Sequence, residues 1–264
     1  MTDVLKRELK DGLLVLTMNR PERKNALNPD LTLALRDATA AAAMDPEVRA
    51  VLLTGSGGAF CVGGDVKAMN EGAGRDAPLG ERMNALRDRM NASRYLHEME
   101  KPTIAAIEGA AAGAGLSLAL ACDFRICADD AKITTAFAKV GLSGDYGGTY
   151  FLTHLLGAAR ARELYLLSPV LSGVEAAAMG LVTRAVPAAS VMEEATALAA
   201  RLAAGPTLTY GRVKRNIAAA EAGGSLSECF DEEARNHTLS SQTHDHREAA
   251  AAFVEKRAPA FTGT

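Results

Sequence analysis

The 264 residues include no tryptophan, only 5% aromatics, four cysteines and no long apolar run. Cys61, Cys122, Cys127 and Cys229 fall at no CxxC or CxxH spacing. That pattern speaks against a disulfide framework and a zinc site, and it reads as reduced, mostly buried thiols of a cytoplasmic protein with no metal. A basic excess is also missing. With 29 Lys and Arg against 32 Asp and Glu, the formal net charge is −3 and no Lys/Arg run stands out, so nucleic acid is not an expected partner. No apolar stretch approaches the roughly 20 residues of a membrane helix. The opening MTDVLKRELKDG is polar and charged, which predicts no signal peptide and no membrane partner. What remains, 48% hydrophobic and 23% charged, is ordinary globular composition.

The first part of the chain alternates strand and helix. LLVLTM (13–18) reads as a strand, followed by a turn at Arg20-Pro21. Asn28 is a favoured cap for a helix with Pro29 at its first position, running to about Met44. Residues 48–54 form a second buried strand that ends in GSGGAFCVGGD, where Asp65 is placed to cap a short helix. Residues 71–78 are the most loop-like stretch; 79–99 has helical spacing, and 104–107 is again strand. Three Ser-x-x-Glu capping boxes follow, at Ser172, Ser190 and Ser225, and 182–186 is the last strand. Beyond a boundary at 198–205, residues 206–220, 226–239 and 247–256 are helical. Their apolar stripes (Leu208, Val213, Ile217; Leu226, Phe230, Leu239) are expected to pack on the core and on a neighbouring subunit. The organisation is therefore an α/β core over 1–197 and a helical region over 198–264.

Two small-residue loops carry the chemistry. FCVGGD (60–65) and GAAAGAG (109–115) each follow a strand, and side-by-side strands would open both loops on one edge. Tiny side chains let backbone N–H groups at a helix start approach a ligand. Two such groups converging on one carbonyl oxygen would hold an enolate, provided a base sits near the α-carbon.

NRPERKNALN, AFCVGGDV, KPTIAAIEGAAAGAGLSLALACDFRICADDAKI, GLSGDYGGTYFL and AFVEKR occur in this order. Together they resemble the crotonase superfamily, the enoyl-CoA hydratase/isomerase group, over roughly residues 10–257. The resemblance implies a spiral of stacked ββα units with a C-terminal helical region that trimerises, giving a homotrimer or a hexamer built as a dimer of trimers. It also implies acyl-CoA thioesters as substrates, coenzyme A being part of the substrate, with no separate cofactor. By position, the oxyanion-hole N–H groups are those of Gly64 and Ala114. Arg23, Lys24 and Ala26 match the segment that wraps coenzyme A. Val62, Asp65 and Val66 match the lining of its adenine and pantetheine, and Phe253 and Lys256 match positions that reach its nucleotide end.

The departures are as informative as the matches. Hydratases of this family use two glutamates; by the resemblance the first falls at Ser117 and the second at Phe137. Hydration needs one group to activate water and another to deliver a proton, and neither a serine alone nor a phenyl ring does this. A carboxylate remains at Asp145, in GLSGDYGG, where several isomerases and dehalogenases of the family carry a working aspartate. The competing role is an N-cap for a helix over 150–156, which the glycines Gly147 and Gly148 make a poor start. Dehalogenation also requires a histidine, whose position corresponds to Met90. Asp145 in apolar surroundings (Phe137, Tyr146, Phe151) would have a raised pKa suited to both taking and returning a proton. Tyr146 is a further candidate for substrate contact. The expected reaction is a double-bond shift in an unsaturated acyl-CoA. The alternatives are hydration through an atypical base and a non-catalytic acyl-CoA-binding paralogue. His244 and His246 at a helix start read as solvated residues.

Overall fold

Short runs of apolar residues, punctuated by glycine and proline, build the sheet. The computed structural model describes residues 3–65 and 77–264. Strands β1 (Leu5–Lys10) and β2 (Leu13–Met18) form an antiparallel hairpin. The turn residues Asp11 and Gly12 both have positive φ (49° and 78°), the geometry a tight hairpin favours. Helix α1 (Pro29–Met44) opens as its sequence predicts, with the Asn28 side chain accepting the Leu31 N–H at 3.0 Å. It leads to β3 (Ala50–Gly55), buried along its whole length and parallel to β2.

The helical stretch predicted for 79–99 is two helices, α2 (Leu79–Arg89) and α3 (Asn91–Glu98), meeting at Met90. The Ser93 hydroxyl donates to the Met90 carbonyl, and the Arg94 N–H reaches that oxygen only at 3.5 Å. A side-chain donor competing for a helix carbonyl loosens the ladder there. The break lets α3 bury Ala92, Ser93 and Leu96 while α2 buries nothing.

From here the chain repeats a strand–strand–helix unit. Strands β4 (Thr103–Ile107) and β5 (Ala111–Ala112) precede α4 (Ala114–Leu120); β6 (Phe124–Ala128) and β7 (Ile133–Thr134) precede α5 (Gly148–Leu167), which kinks at Gly157. Helix α6 (Gly173–Ala178), β8 (Arg184–Val186) and α7 (Val191–Ala203) follow. The main sheet has the order β1-β2-β3-β4-β6-β8, parallel from β2 onward, and β5 pairs with β7 in a second small sheet. Buried leucine, isoleucine and alanine side chains of β2–β4 and β6 form the core beneath α1, α3 and α7.

Helix α7 packs on β3, β4 and β6, with Leu198, Ala199 and Ala203 buried against them. Then α8 (Thr207–Glu221) and α9 (Leu226–Ser241) pack on one another, followed by α10 (His244–Glu255). Helix α8 is fastened to the core by ion pairs from Lys214 to Asp123 (2.9 Å) and Arg215 to Glu100. Its stripe residues Leu208, Val213 and Ile217 are 39–53% exposed; within one chain they do not pack on the core. Among the described residues no helix is long and apolar enough to cross a membrane.

Two of the three capping boxes form. Ser172 and Ser225 each accept the N–H of the glutamate three residues on, and that glutamate accepts the serine N–H in return. Ser190 instead ends a 3₁₀ turn at φ −98°, ψ −8°, away from the extended conformation of a capping residue, and makes no cap bond. In urea unfolding, Ser172→Ala and Ser225→Ala should each cost about 1 kcal/mol, and Ser190→Ala less than about 0.5 kcal/mol.

Candidate active site

The two glycine loops pair directly. Cys61 donates its N–H to the Ala110 carbonyl (3.1 Å), and Ala112 donates to the Cys61 carbonyl (2.9 Å), an isolated parallel bridge that sets the first loop beside β5. Only glycine fits at 115, because a Cβ there would overlap the Cys61 carbonyl oxygen. Gly63 (φ 86°) and Gly113 (φ 52°, ψ −127°) hold conformations that L side chains rarely adopt. A Cβ on Gly63 would lie 2.8 Å from the Ala112 carbonyl oxygen and 3.3 Å from the Ala114 nitrogen, so the residue before Gly64 lies beside the start of α4 with no room for a side chain. The N–H groups of Gly64 and Ala114 donate to no acceptor among the described residues. Ala114 N also lies at a helix start, where the backbone carries partial positive charge.

The segment 23–27 lies alongside the first loop. Val62 donates to the Lys24 carbonyl (3.2 Å), Leu27 to that of Gly63 (2.8 Å), and Asp65 to that of Leu27 (3.2 Å). Arg23 and Lys24 are exposed at this edge, and Ala26 is buried. The chain turns here through Lys24 and Asn25, both at positive φ. Buried Asn25 secures the turn by donating to the carbonyls of Ser56 (2.9 Å) and Ala59 (2.8 Å). Asp65 pairs with Arg20 at 3.3 Å, an anchoring contact. Val66, and the helix start expected after Asp65, lie outside the described residues, as do 71–76 of the loop predicted over 71–78. Phe253 is on α10 and 86% exposed, and Lys256 follows the helix end in a left-handed conformation (φ 55°). Helix α10 packs on α9, and the described contacts do not bring either residue to the two loops.

Asp145 stands in a sharply bent segment. Gly144, Tyr146 and Gly147 have φ of 118°, 50° and 77°, and a buried tyrosine held in the left-handed region stores strain of order 1–3 kcal/mol, as functional sites tend to. Asp145 does not cap α5. That helix begins at Gly148 after the left-handed Gly147 with no side-chain cap bond, and Asp145 contributes only its backbone carbonyl, to the Gly148 N–H. Its Oδ1 is buried and has no hydrogen-bond partner among the described residues. Burial without compensation pushes the carboxyl up to about 6. Phe151, at the bend, contacts the Gly147 backbone.

Ser117 is buried in α4, with its Oγ donating to the Gly113 carbonyl at 3.3 Å. Phe137 is 6% exposed, and its ring faces Gly113. Tyr165, on α5, did not stand out in the sequence. Its ring stacks parallel to Phe137 (centroids 5.9 Å, interplanar 1°) and its hydroxyl meets Ser117 over Gly148. The available signal was the run of side-chain-free positions, Gly144, Gly147 and Gly148, which something bulky had to fill.

A cavity of about 660 Å³ lies between α5 and α8, lined in part by His97, Tyr150, Phe151, His154, Lys214 and Glu221. Neither Asp145 nor the glycine loops border it, so it is not where the groups above converge. Among the described residues no cluster of His, Cys, Asp and Glu is suited to hold a metal ion.

The family model for enoyl-CoA hydratase/isomerase matches residues 8–264. A 1,2-epoxyphenylacetyl-CoA isomerase of Escherichia coli K12 is 38% identical over all of both chains. A Rhodobacter capsulatus protein named a probable enoyl-CoA hydratase is 39% identical over 98% of each. The solved structure of an enoyl-CoA hydratase from Polaromonas sp. JS666 superposes with a TM-score of 0.91 at 34% identity, covering 98% of this chain and 99% of that one.

Proposed function

Because this chain belongs to the enoyl-CoA hydratase/isomerase family, we propose that it moves a double bond within an unsaturated acyl-CoA thioester, with Asp145 carrying the proton. The observation that carries this reading is the half-buried carboxylate of Asp145, whose buried Oδ1 has no hydrogen-bond partner among the described residues, while the positions that by resemblance would hold the hydratase glutamates are Ser117 and Phe137. The thioester carbonyl would accept from the N–H groups of Gly64 and Ala114. Asp145 takes the α-proton, the electron pair moves onto the thioester oxygen as a dienolate, and the two N–H groups hold that charge. Protonated Asp145 then returns the proton to the γ-carbon. One carboxyl suffices, and neither water nor a separate cofactor enters the balance.

The 1,2-epoxyphenylacetyl-CoA isomerase relative supports isomerisation. The hydratase-named relatives support the second reading, water addition through an atypical base. In binding, 23–26 with Val62, Asp65 and Val66 would cradle coenzyme A, while Phe137 and Tyr146 would line the acyl side. The exposed stripes of α8 and α9 and the exposed Phe253 support a homotrimer or a dimer of trimers, in which Phe253 and Lys256 would reach a coenzyme A nucleotide.

Incubation with a 3-enoyl-CoA should yield the 2-enoyl-CoA, and crotonyl-CoA should not lose its thioester absorbance. Rapid hydration of crotonyl-CoA without any double-bond shift would reverse the assignment. As a base Asp145 must be ionised. Isomerase kcat should therefore be level above neutrality and fall as pH drops through about 6. A profile flat down to the ordinary carboxylate range would remove Asp145 from that role.

A further inference from the structure

Tyr165 lies 20 positions after Asp145, yet it fills the space beneath the bend that holds it. A Cβ on Gly144 would lie 2.9 Å from Tyr165 Cε1 and 3.4 Å from its hydroxyl oxygen. A Cβ on Gly148 would overlap both the Tyr165 hydroxyl and the Ser117 Oγ. Both glycines that bracket the Asp145 turn thus face Tyr165, Gly144 over its ring edge and Gly148 over its hydroxyl and that of Ser117. The ring behind them is fixed flat against Phe137, and Ser117 is fixed by the Gly113 carbonyl of the second glycine loop.

We propose that Tyr165, with its hydroxyl set against that of Ser117, is a positioning residue for the proton transfer, clamping the 144–148 turn that carries the Asp145 carboxylate. This rests on Asp145 being the proton carrier. The bend needs such a support, since Tyr146 is held at φ 50° and would relax if the packing beneath it loosened. The hydroxyl pair also links the base to the carbonyl-binding loop through α4. Ser117 is one turn into α4, whose first residue is Ala114, so the clamp fixes the base relative to the Ala114 N–H. Misplacing a catalytic group by about 1 Å can cost on the order of a hundredfold in rate.

The titratable groups that act on or feel Asp145 among the described residues are Cys61 on the first loop, Tyr146 beside it and Tyr165 on α5; Arg89 on α2 faces Tyr146. Burial pushes the Cys61 thiol and the Tyr165 phenol up to about 12 each, and it raises Tyr146 as well. None of these changes charge near pH 6, so the acid limb of the rate profile reports Asp145.

The test is Tyr165→Phe, which keeps the stacked ring and removes only the hydroxyl. Isomerase kcat should fall by about tenfold to a hundredfold with KM within about threefold, because the ring and the coenzyme A contacts are untouched. The acid limb should stay near pH 6, since the carboxyl loses no hydrogen bond, so the loss appears in kcat alone. Ser117→Ala should give the same loss of kcat at smaller amplitude and keeps the proposal testable if Tyr165→Phe folds poorly. In the double variant the effects should be less than additive. A Tyr165→Phe enzyme with altered thermal stability but unchanged kcat would overturn the proposal, leaving a packing role. If Asp145→Asn retains full turnover, it is the proton-carrier reading that fails. An inactive Asp145→Asn beside a wild-type-like Tyr165→Phe isolates the failure to Tyr165.

Discussion

Asp145→Asn should lower isomerase turnover by at least about a hundredfold, the lower range for loss of a general acid–base group, while leaving KM for the acyl-CoA nearly unchanged. The amide is isosteric, and the residue's structural contribution is a backbone carbonyl that Asn retains. The same substitution should stabilise the fold. The carboxyl titrates at about 6 in the folded chain against an ordinary value of 3.8, so the folded state holds the proton more tightly than the unfolded one. Burying Asp145 therefore costs nothing below about pH 4, and the cost develops as pH rises through 6. An asparagine escapes that cost at neutral pH. Thermal melts at pH 7.5 should place Asp145→Asn a few degrees above the parent, and melts near about pH 4 should bring the two together. A slow enzyme that is more stable would identify a carboxylate held where stability alone disfavours it; a slow and less stable one would point to lost packing.

Ala114→Pro should reduce kcat by about 10²- to 10³-fold, the loss typical of removing one oxyanion-hole donor. Proline at this position deletes the N–H and nothing else in the helix ladder, because Ala114 is the first residue of α4 and its N–H has no acceptor among the described residues. A first-turn position tolerates the ring, and the preceding Gly113 has no Cβ to meet it. Circular dichroism should match the parent. Full turnover in a folded Ala114→Pro would take this N–H out of the oxyanion hole.

Features written locally in the chain could be read from it. The cap at Asn28 with Pro29 behind it, the buried run at 104–107 and the capping boxes at Ser172 and Ser225 each depend on residues within one turn, and the structure has them. Ser190 carries the same local pattern but fails, because the 3₁₀ turn from Pro187 delivers the chain to it in a helical conformation. Strand β1 was hidden for another reason: only Leu5 of LKRELK is buried, so this edge strand shows no alternation. Strand β6 carries Arg125 in a buried position, a residue that normally argues against a core strand. Its guanidinium is satisfied by the carbonyls of Leu181 and Cys122, a partnership that only the tertiary fold creates. The site divides in the same way. The glycine loops announce themselves by composition, whereas Asp145 stands out only through the resemblance of the motif around it. The bridge from Cys61 to Ala111 and the support of Tyr165 under Asp145 join residues 50 and 20 positions apart, and no local pattern encodes them.

A single carboxyl that both takes and returns the proton has a direct isotopic signature. A 3-enoyl-CoA carrying deuterium at its α-carbon, isomerised in ordinary water, should give 2-enoyl-CoA with part of that deuterium transferred to the γ-carbon, because the shielded Asp145 carboxyl returns the label before solvent replaces it. Product free of transferred deuterium from the first turnover onward, or a hydrated product in its place, would contradict the account.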